Sequence, residues 1–163
     1  MENTTRVNIY IDGNNLYRGS KSFGYIINYK KFRGWLRQKY NINRAYIFIG
    51  FIQNRINFYA HLQNWGFDLI FKETIIADGL IKGNCDAELV LSVISDFYTK
   101  KFDVCYLLTG DGDFGCVISF LIQNNINVCV IAPNSLKCSF LLRNKNIEMV
   151  FLDNHYHKFL EKI

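Results

Sequence analysis

Two aspartates, Asp111 and Asp113, follow directly after an apolar run of strand length that begins at Val104. A single glycine separates them, and a helical pattern begins at the second acid. Carboxylates this close repel each other when both are ionised, unless a cation lies between them. The stretch from Val104 to Phe114 therefore predicts a strand that delivers two ligands to a divalent metal site.

A second junction between a strand and an acid lies near the start of the chain. The β-branched and aromatic stretch 6–11 predicts a buried strand. It is followed by Asp12, Gly13, Asn14 and Asn15. Such side chains also serve in turns and helix caps, because they accept hydrogen bonds from free backbone N–H groups. The junction is therefore either a capped turn or a site in which Asp12 binds a metal and Asn14 or Asn15 orients a ligand or a scissile phosphate.

A fourth acid, Asp86, stands at the first turn of a predicted helix, after a polar connection that contains glycines. The helix dipole favours a carboxylate at this position whatever its role. The preceding Lys82 and Gly83 place a cation and a tight turn beside that acid, which capping alone does not require. Lys82 is therefore a candidate contact to a phosphate oxygen, and Thr109 offers a hydroxyl to metal-bound water or substrate.

The order of the predicted elements indicates the fold class. Strands and helices alternate along the chain, which is typical of parallel strands joined by helical crossovers. The prediction is a three-layer α/β/α fold with a central, mainly parallel sheet of five or six strands and helices on both faces. The predicted strands are 6–11, 42–52, 67–77, 103–108, 126–132 and 148–152, and the predicted helices are 29–40, 53–65, one that begins at 86, 113–123, 136–142 and 154–161, with a short helix and a loop over 16–27.

Apolar spacing predicts which helix faces pack on this sheet. In the helix that begins at Asp86, the predicted inward residues are Ala87, Val90, Leu91, Ile94 and Tyr98. In the helix 113–123 they are Phe114, Val117, Ile118 and Leu121.

The acids are expected to meet at one edge of the sheet. In an open parallel sheet, ligands bind beyond the carboxyl ends of the strands, where the strand order reverses. The first strand and the strand before Thr109 are predicted neighbours there, and they bring Asp12, Asp111 and Asp113 into one pocket. A helix that leads back into a parallel strand starts at the same edge, which adds Asp86. Hard oxygen ligands without histidine or cysteine favour Mg²⁺ or Mn²⁺ over zinc, and such a site fits attack of water on a phosphodiester.

The composition predicts one domain. A chain of 163 residues with a single proline and no Ser/Gly/Pro tract leaves no place for a linker. A formal net charge of +5 mildly favours a polyanionic partner. The five cysteines have no metal-ligand spacing and follow no secretory leader, which predicts reduced thiols and a cytoplasmic protein. No apolar run approaches the roughly 20 residues that cross a bilayer.

Three short motifs occur in order across nearly the whole chain. They are Ile-Tyr-Ile-Asp-Gly-Asn-Asn-Leu at 9–16, Lys-Gly-Asn-Cys-Asp at 82–86 and Thr-Gly-Asp-Gly-Asp-Phe at 109–114. Together they resemble the motifs of the NYN domains, a PIN-like nuclease branch that includes the LabA-like proteins. The resemblance implies a single NYN domain over 1–163 with a PIN-like, Rossmannoid sheet in the strand order 3-2-1-4-5.

The resemblance also implies an activity and a site. The implied activity is that of a Mg²⁺- or Mn²⁺-dependent ribonuclease acting on single-stranded or structured RNA, an endoribonuclease in preference to an exonuclease. The residues that match the family's catalytic and metal-binding acids are Asp12, Asp86, Asp111 and Asp113. The candidate substrate contacts beside them are Asn14, Asn15, Lys82 and Thr109.

One departure from the family pattern leaves an alternative open. Many members carry another aspartate one to two turns after the position of Asp86, where this chain has the apolar or small residues 90–93. The nearest acids in that helix are Glu88 and Asp96. The alternative is a catalytically weak or inactive domain that binds RNA or another protein.

Three other classes fail on their own motifs. A phosphatase of the haloacid dehalogenase kind needs a second aspartate two residues after the first, where this chain has Asn14. An EF-hand loop that starts at Asp111 would place its fifth and twelfth ligands at Gly115 and Ile122. The chain has no Gly-x-x-x-x-Gly-Lys loop, which argues against an ATPase. An exposed aromatic patch would suit base stacking or a homodimer surface, and both uses stay open.

Overall fold

The fold is built around one parallel sheet in a computed structural model that describes residues 4–82 and 84–162. The elements in chain order are β1 (Val7–Asp12), α1 (Gly13–Ser22), β2 (Tyr25–Ile27), α2 (Tyr29–Tyr40), β3 (Arg44–Gly50), α3 (Ile56–Asn64), β4 (Asp68–Lys72), β5 (Ile75–Ala77), β6 (Leu80–Lys82), α4 (Asp86–Tyr98), β7 (Val104–Leu108), α5 (Gly115–Gln123), β8 (Asn127–Ala132), α6 (Phe140–Arg143), β9 (Glu148–Phe151) and β10 (Leu160–Lys162). Short 3₁₀ turns cover Gln53–Arg55, Gly112–Phe114, Leu152–Asn154 and Tyr156–Lys158.

The central sheet has six strands in the order β4-β3-β1-β7-β8-β9. Every pair in it is parallel, which confirms the predicted fold class. The order reverses at β1, which pairs with β3 on one side and with β7 on the other. This is the point at which an open parallel sheet offers its binding crevice.

Alternate residues of β1 point into two separate cores, one on each face of the sheet. Ile9 and Ile11 belong to the core that α1, α2 and α3 cover, and Tyr10 belongs to the core that α4, α5 and α6 cover. All three side chains are fully buried. A strand with both faces covered needs apolar side chains at successive positions, which explains the nearly continuous apolar run of β1. The predicted three layers are therefore present.

The predicted inward face of α5 and its preceding turn is confirmed, whereas that of α4 holds for Val90 and Ile94 and is wrong for Ala87, Leu91 and Tyr98. Phe114, Val117, Ile118 and Leu121 are buried as expected. In α4, Leu91 and Tyr98 are each 69% exposed, and Ala87 is exposed as well. The buried residues of α4 are Leu89, Val93 and Asp96, with Val90 and Ile94 half-buried beside them.

A buried acid explains the rotation of α4. Asp96 accepts a hydrogen bond from the Tyr10 hydroxyl at 2.8 Å and pairs with Lys101 at 3.2 Å. These partners stabilise a carboxylate on the face that packs against the sheet, where a purely apolar pattern would not place it. A prediction based on apolar residues alone therefore assigns the wrong face of α4 to the sheet.

Two predicted elements have a different structure. The predicted terminal helix 154–161 is two 3₁₀ turns and β10, which pairs antiparallel with β2. The predicted strand 67–77 is divided into β4 and β5, and β5 forms an antiparallel hairpin with β6. Asp78 and Gly79 join the hairpin strands with positive φ angles of 52° and 73°. An Asp-Gly pair with positive φ angles is typical of a tight hairpin turn.

Candidate metal centre

The four predicted acids lie at the carboxyl edge of the parallel sheet. Asp12 is the last residue of β1, and Asp111 and Asp113 lie in the turn after β7. β7 is the parallel neighbour of β1, with Ile11 opposite Leu108, so both junctions reach the same edge. Asp86 is the first residue of α4 and comes to this edge at the start of that helix.

Three of these acids form a compact group. One carboxylate oxygen from each of Asp86, Asp111 and Asp113 lies within 4.8 Å of the other two. Around one octahedral Mg²⁺ at about 2.1 Å, neighbouring oxygens lie about 3.0 Å apart and opposite ones about 4.2 Å apart, so the three carboxylates would have to move closer together to share one ion. Three hard oxygen donors of like charge fit Mg²⁺ or Mn²⁺ in their chemistry.

The environment of the group disfavours its charge without a cation. Burial, followed by the charges of Asp111 and Asp113, raises the pKa of Asp86 above its ordinary value. Asp86 and Asp111 are half-buried, whereas Asp113 is exposed. A bound divalent cation would remove this repulsion, which is how carboxylate clusters of this kind are stabilised.

Asp12 stands beside this group. Its carboxylate accepts hydrogen bonds from the Asn15 N–H at 3.1 Å and from the Thr109 hydroxyl at 3.4 Å. Burial raises the pKa of Asp12 to about 6, the Asn15 N–H opposes that shift, and the charge of Asp86 adds to it. Asp12 also lines the same cleft as Asp86 and Asp111. It therefore acts as the cap of α1 and as a fourth acid next to the group of three.

Two residues that were predicted to contact substrate instead form hydrogen bonds with the segments that carry the acids. Thr109 is fully buried, and its hydroxyl donates to Asp12 while accepting from the Asp111 N–H at 3.1 Å. The side-chain oxygen of Asn15 accepts a hydrogen bond from the Gly110 N–H at 2.9 Å. These bonds join the end of β1 to the turn after β7. Asn14, in contrast, is exposed and lines the cleft.

Two glycines allow the backbone to approach closely enough at this edge. A Cβ on Gly13 would lie 2.9 Å from the Phe48 carbonyl oxygen, so only glycine lets α1 begin against β3. A Cβ on Gly112, between the two acids of the β7 turn, would lie 2.5 Å from Ser139 Oγ. The spacing of Asp111 and Asp113 thus depends on the contact of their turn with Ser139.

The cation that lies near the acids is one that the sequence did not indicate. The side chain of Lys82 and residue Gly83 lie outside the described part of the structure. Lys72, the last residue of β4, has its ammonium group 3.5 Å from the Glu88 carboxylate. Its charge opposes the upward shift that burial causes in the pKa of Asp86. The prediction of a single strand over 67–77 places Lys72 in the middle of that strand. In the structure Lys72 ends β4 at the edge of the sheet, which brings it near the acids.

The order and spacing of these elements are those of a known family. The sequence model of the NYN domain matches residues 6–153. The chain belongs to the NYN domain family. This confirms the NYN resemblance, while membership of the LabA-like branch stays a prediction. NYN domains fall in the PIN-like nuclease superfamily and are generally nucleases, which assigns this NYN domain to that class at a coarse level.

A solved structure has the same fold as this NYN domain. A protein of unknown function from Vibrio parahaemolyticus superimposes with a TM-score of 0.75 at 22% identity, and the alignment covers 99% of each chain. At this identity the likeness concerns the fold alone. No curated protein matches the sequence. In the described part of the chain, no helix is long and apolar enough to cross a membrane.

The NYN domain keeps the departure that the sequence showed in α4. Glu88 is held by Lys72, and Asp96 is buried against Tyr10 near the far end of the helix. Neither carboxylate belongs to the group formed by Asp86, Asp111 and Asp113. Within the described residues, the group of three and the adjacent Asp12 therefore make up the acids of the site.

Proposed function

We propose that this NYN domain is a Mg²⁺- or Mn²⁺-dependent ribonuclease that hydrolyses RNA phosphodiester bonds, with endonucleolytic cleavage preferred over exonucleolytic cleavage. The observation that carries the proposal is the convergence of Asp86, Asp111 and Asp113 within 4.8 Å at the crevice of a nuclease fold. A cytoplasmic location and a homodimer stay predictions.

The acids have distinct roles in this proposal. Asp86, Asp111 and Asp113 would hold the cation, which when bound activates water and neutralises charge on the phosphate oxygens. Asp12 completes the negative rim and fixes the start of α1 through Asn15. Asn14 is the exposed amide at the same edge and is the proposed contact to the scissile phosphate.

The residues that support the acids position them through hydrogen bonds. Thr109 is buried and acts through Asp12 and the Asp111 N–H, so it is a positioning residue in this proposal. Asn15 has the same role because it accepts from Gly110. Lys72 is a described cation whose charge acts on Asp86, and it is a further candidate to balance the acids, while Lys82 stays the proposed contact to a phosphate oxygen.

A cleavage assay tests the proposal. Purified protein with Mn²⁺ or Mg²⁺ is expected to fragment single-stranded RNA, and EDTA is expected to stop it. Asp111→Asn should reduce the rate by at least about 100-fold, because it removes one ligand charge from the site. The matched control is Asp68→Asn. Asp68 begins β4 at the opposite edge of the sheet and pairs with Arg44 at 3.0 Å, so its loss should leave the rate unchanged. Absence of cleavage with either metal would contradict the proposal.

A second candidate function has its own observation. Glu88 is engaged by Lys72 and lies outside the group of three, so α4 supplies a single ligand, Asp86. A domain with fewer acids would bind RNA and cut it slowly or not at all. RNA binding that is unaffected by EDTA and by Asp111→Asn, with no fragments after prolonged incubation with Mn²⁺, would favour this alternative.

A further inference from the structure

A large cleft opens beside the acids and continues away from them. Its volume is about 1230 Å³, and it begins at Asp12, Asp86 and Asp111. From there it passes along α1 and β2 to the start of α2 and to α3. The acids occupy only one end of this space, so the rest of the cleft is available to parts of a ligand that do not react.

One wall of the cleft is the exposed face of α1. Asn14, Tyr17, Arg18 and Lys21 recur at three- and four-residue steps, all are exposed, and all line the cleft. The opposite face of α1 is buried through Leu16 and its small neighbours. Residues at this spacing lie above one another along a helix. The exposed face therefore forms a row that begins next to Asp12 and leads away from the acids.

An aromatic ring and two cations lie in this row. Tyr17 is 50% exposed, and the Lys21 ammonium lies 5.6 Å from the centre of its ring. Arg18 is exposed next to Tyr17. In the described part of the chain, neither Arg18 nor Lys21 is paired with a carboxylate. The row thus offers a half-exposed ring and, within the described residues, positive charge that no carboxylate neutralises.

The opposite wall of the cleft also contains aromatic rings and a cation. Tyr29 and Phe58 are half-buried there, with their ring centres 5.6 Å apart in an edge-to-face arrangement. Arg55 is exposed at the turn before α3 and lines the cleft with them. Burial raises the pKa of Tyr29 to about 12, and the charge of Arg55 opposes this shift. Rigid aromatic groups and cations therefore lie on both sides.

We infer that the cleft binds a single-stranded RNA segment next to the acids, with a base stacked on Tyr17 and phosphates held by Arg18, Lys21 and Arg55. The choice of RNA rests on the proposed function. The choice of a single strand rests on the cleft itself, since aromatic faces bind unpaired bases and a duplex keeps its bases stacked inside. Cations and aromatic rings that line one cleft suit the phosphates and bases of an extended strand.

Binding measurements test the role of Tyr17. Fluorescence anisotropy with a labelled single strand would be recorded in the Asp111→Asn background, which keeps the RNA intact. Tyr17→Ala should weaken binding by about 5- to 100-fold, the usual effect of losing one stacked base. Tyr17→Phe should retain the affinity, because it keeps the ring. The matched control is Tyr98→Ala, an exposed tyrosine of α4 that lies outside the cleft.

The salt dependence of the same binding tests the cations. Arg18→Gln and Arg55→Gln should each reduce the slope of log Kd against log salt by about 0.7, the value for one phosphate contact on a single strand. Arg37→Gln is the control, since Arg37 is exposed on α2 and does not line the cleft. A blunt RNA duplex of the same sequence should bind at least about tenfold more weakly than the single strand.

The outcomes separate this inference from the proposed function. If RNA is cleaved but Tyr17→Ala weakens binding no more than Tyr98→Ala, or the duplex binds as well as the single strand, the inference is wrong and the nuclease assignment stands. If no RNA is cleaved but binding depends on Tyr17 and Arg18 as described, the nuclease assignment is wrong and the inference stands. Failure to bind RNA of either form overturns the inference and would favour a protein as the ligand of the cleft.

Discussion

The side-chain oxygen of Asn15 accepts a hydrogen bond from the backbone N–H of Gly110 at 2.9 Å, across 95 positions of sequence. The two residues belong to the junctions that follow β1 and β7. Because Asp12 caps α1 through the Asn15 N–H, one asparagine contacts both acidic segments of the site. The relative position of Asp12 and Asp111 is thus fixed by an amide that carries no charge.

The first prediction concerns this amide. Asn15→Ala should reduce the free energy of unfolding by about 1–3 kcal/mol, because it leaves the Gly110 N–H without its acceptor. It should also weaken Mn²⁺ binding, since the turn that carries Asp111 loses its anchor. Asn15→Asp keeps an acceptor and should preserve the stability of the fold with Mn²⁺ bound. Thermal melts with and without Mn²⁺ measure both effects, and an unchanged Tm for Asn15→Ala would contradict the anchoring role.

The second prediction concerns the pH dependence of stability. The pKa of Asp12 is about 6 in the folded protein, above its ordinary value of 3.8, so the folded state holds the proton more tightly than the unfolded state. Without metal, the contribution of Asp12 to stability should therefore be greatest below pH 4, should fall between about pH 4 and pH 6, and should then level off. Asp12→Asn can still accept the Asn15 N–H and should remove this component.

Melting curves in EDTA across this pH range check the result. At pH 7 the Asp12→Asn variant should be more stable than the wild type by about 3 kcal/mol, since it lacks the buried charge and its repulsion from Asp86. The variant should gain less stability than the wild type on addition of Mg²⁺. If Asp12→Asn instead lowers Tm at pH 7 in EDTA, the charge of Asp12 does not destabilise the folded protein and the prediction is wrong.

The third prediction concerns the glycine between the two acids of the β7 turn. Gly112→Ala places a methyl group 2.5 Å from Ser139 Oγ, so the turn must move and carry Asp111 and Asp113 with it. Cleavage should decrease by about 100-fold, as expected for a displacement of about 1 Å at a reacting centre. Gly34→Ala is the control, since its Cβ would meet nothing within 4 Å in α2. It should stabilise the protein by about 0.5–1 kcal/mol.

A double variant makes this prediction specific. Ser139→Gly removes the side chain that the new methyl group meets, and it should recover part of the activity of Gly112→Ala. By itself Ser139→Gly should cost only a few tenths of a kcal/mol, the usual effect of replacing a helix cap with glycine. If the double variant is no more active than Gly112→Ala, the contact with Ser139 does not set the position of the acids.

The fourth prediction concerns the buried pair of Tyr10 and Asp96, which determines the face of α4 that packs on the sheet. Tyr10→Phe removes the hydroxyl that donates to Asp96 at 2.8 Å and leaves that carboxylate without one of its partners. The free energy of unfolding should decrease by about 1–3 kcal/mol. The metal-dependent rate should stay unchanged, because the pair lies at the other end of α4 from Asp86. Chemical denaturation and the cleavage assay together measure this, and a large loss of rate in the folded variant would contradict the separation.

The sequence predicted the sheet and its acidic edge because both depend on local patterns. Apolar runs followed by Asp12 and by Asp111 identify strands and their carboxyl ends, and the alternation of elements determines the parallel order. The motifs at 9–16, 82–86 and 109–114 add the family, which the match to the NYN domain confirms. None of this required knowledge of which distant residues pair.

The wrong predictions have a common physical cause, which is pairing between distant residues. The face of α4 was missed because Asp96 is stabilised by Tyr10 from β1. The predicted final helix is wrong because β10 pairs with β2, a contact that the local apolar spacing of Leu152, Tyr156 and Phe159 does not reveal. The Asp78-Gly79 pair is a recognised hairpin signal, and it marks the turn between β5 and β6.

The central position of β1, between β3 and β7, has a consequence for how the protein is made. The group of three needs Asp86 from α4 together with Asp111 and Asp113 from the segment after β7, and that segment is placed only when β7 pairs with β1. A nascent chain that has emerged as far as α4 carries Asp12 and Asp86 but has no complete set of ligands. Under the proposed function, the metal site can therefore form only after the second half of the sheet has been synthesised and has folded.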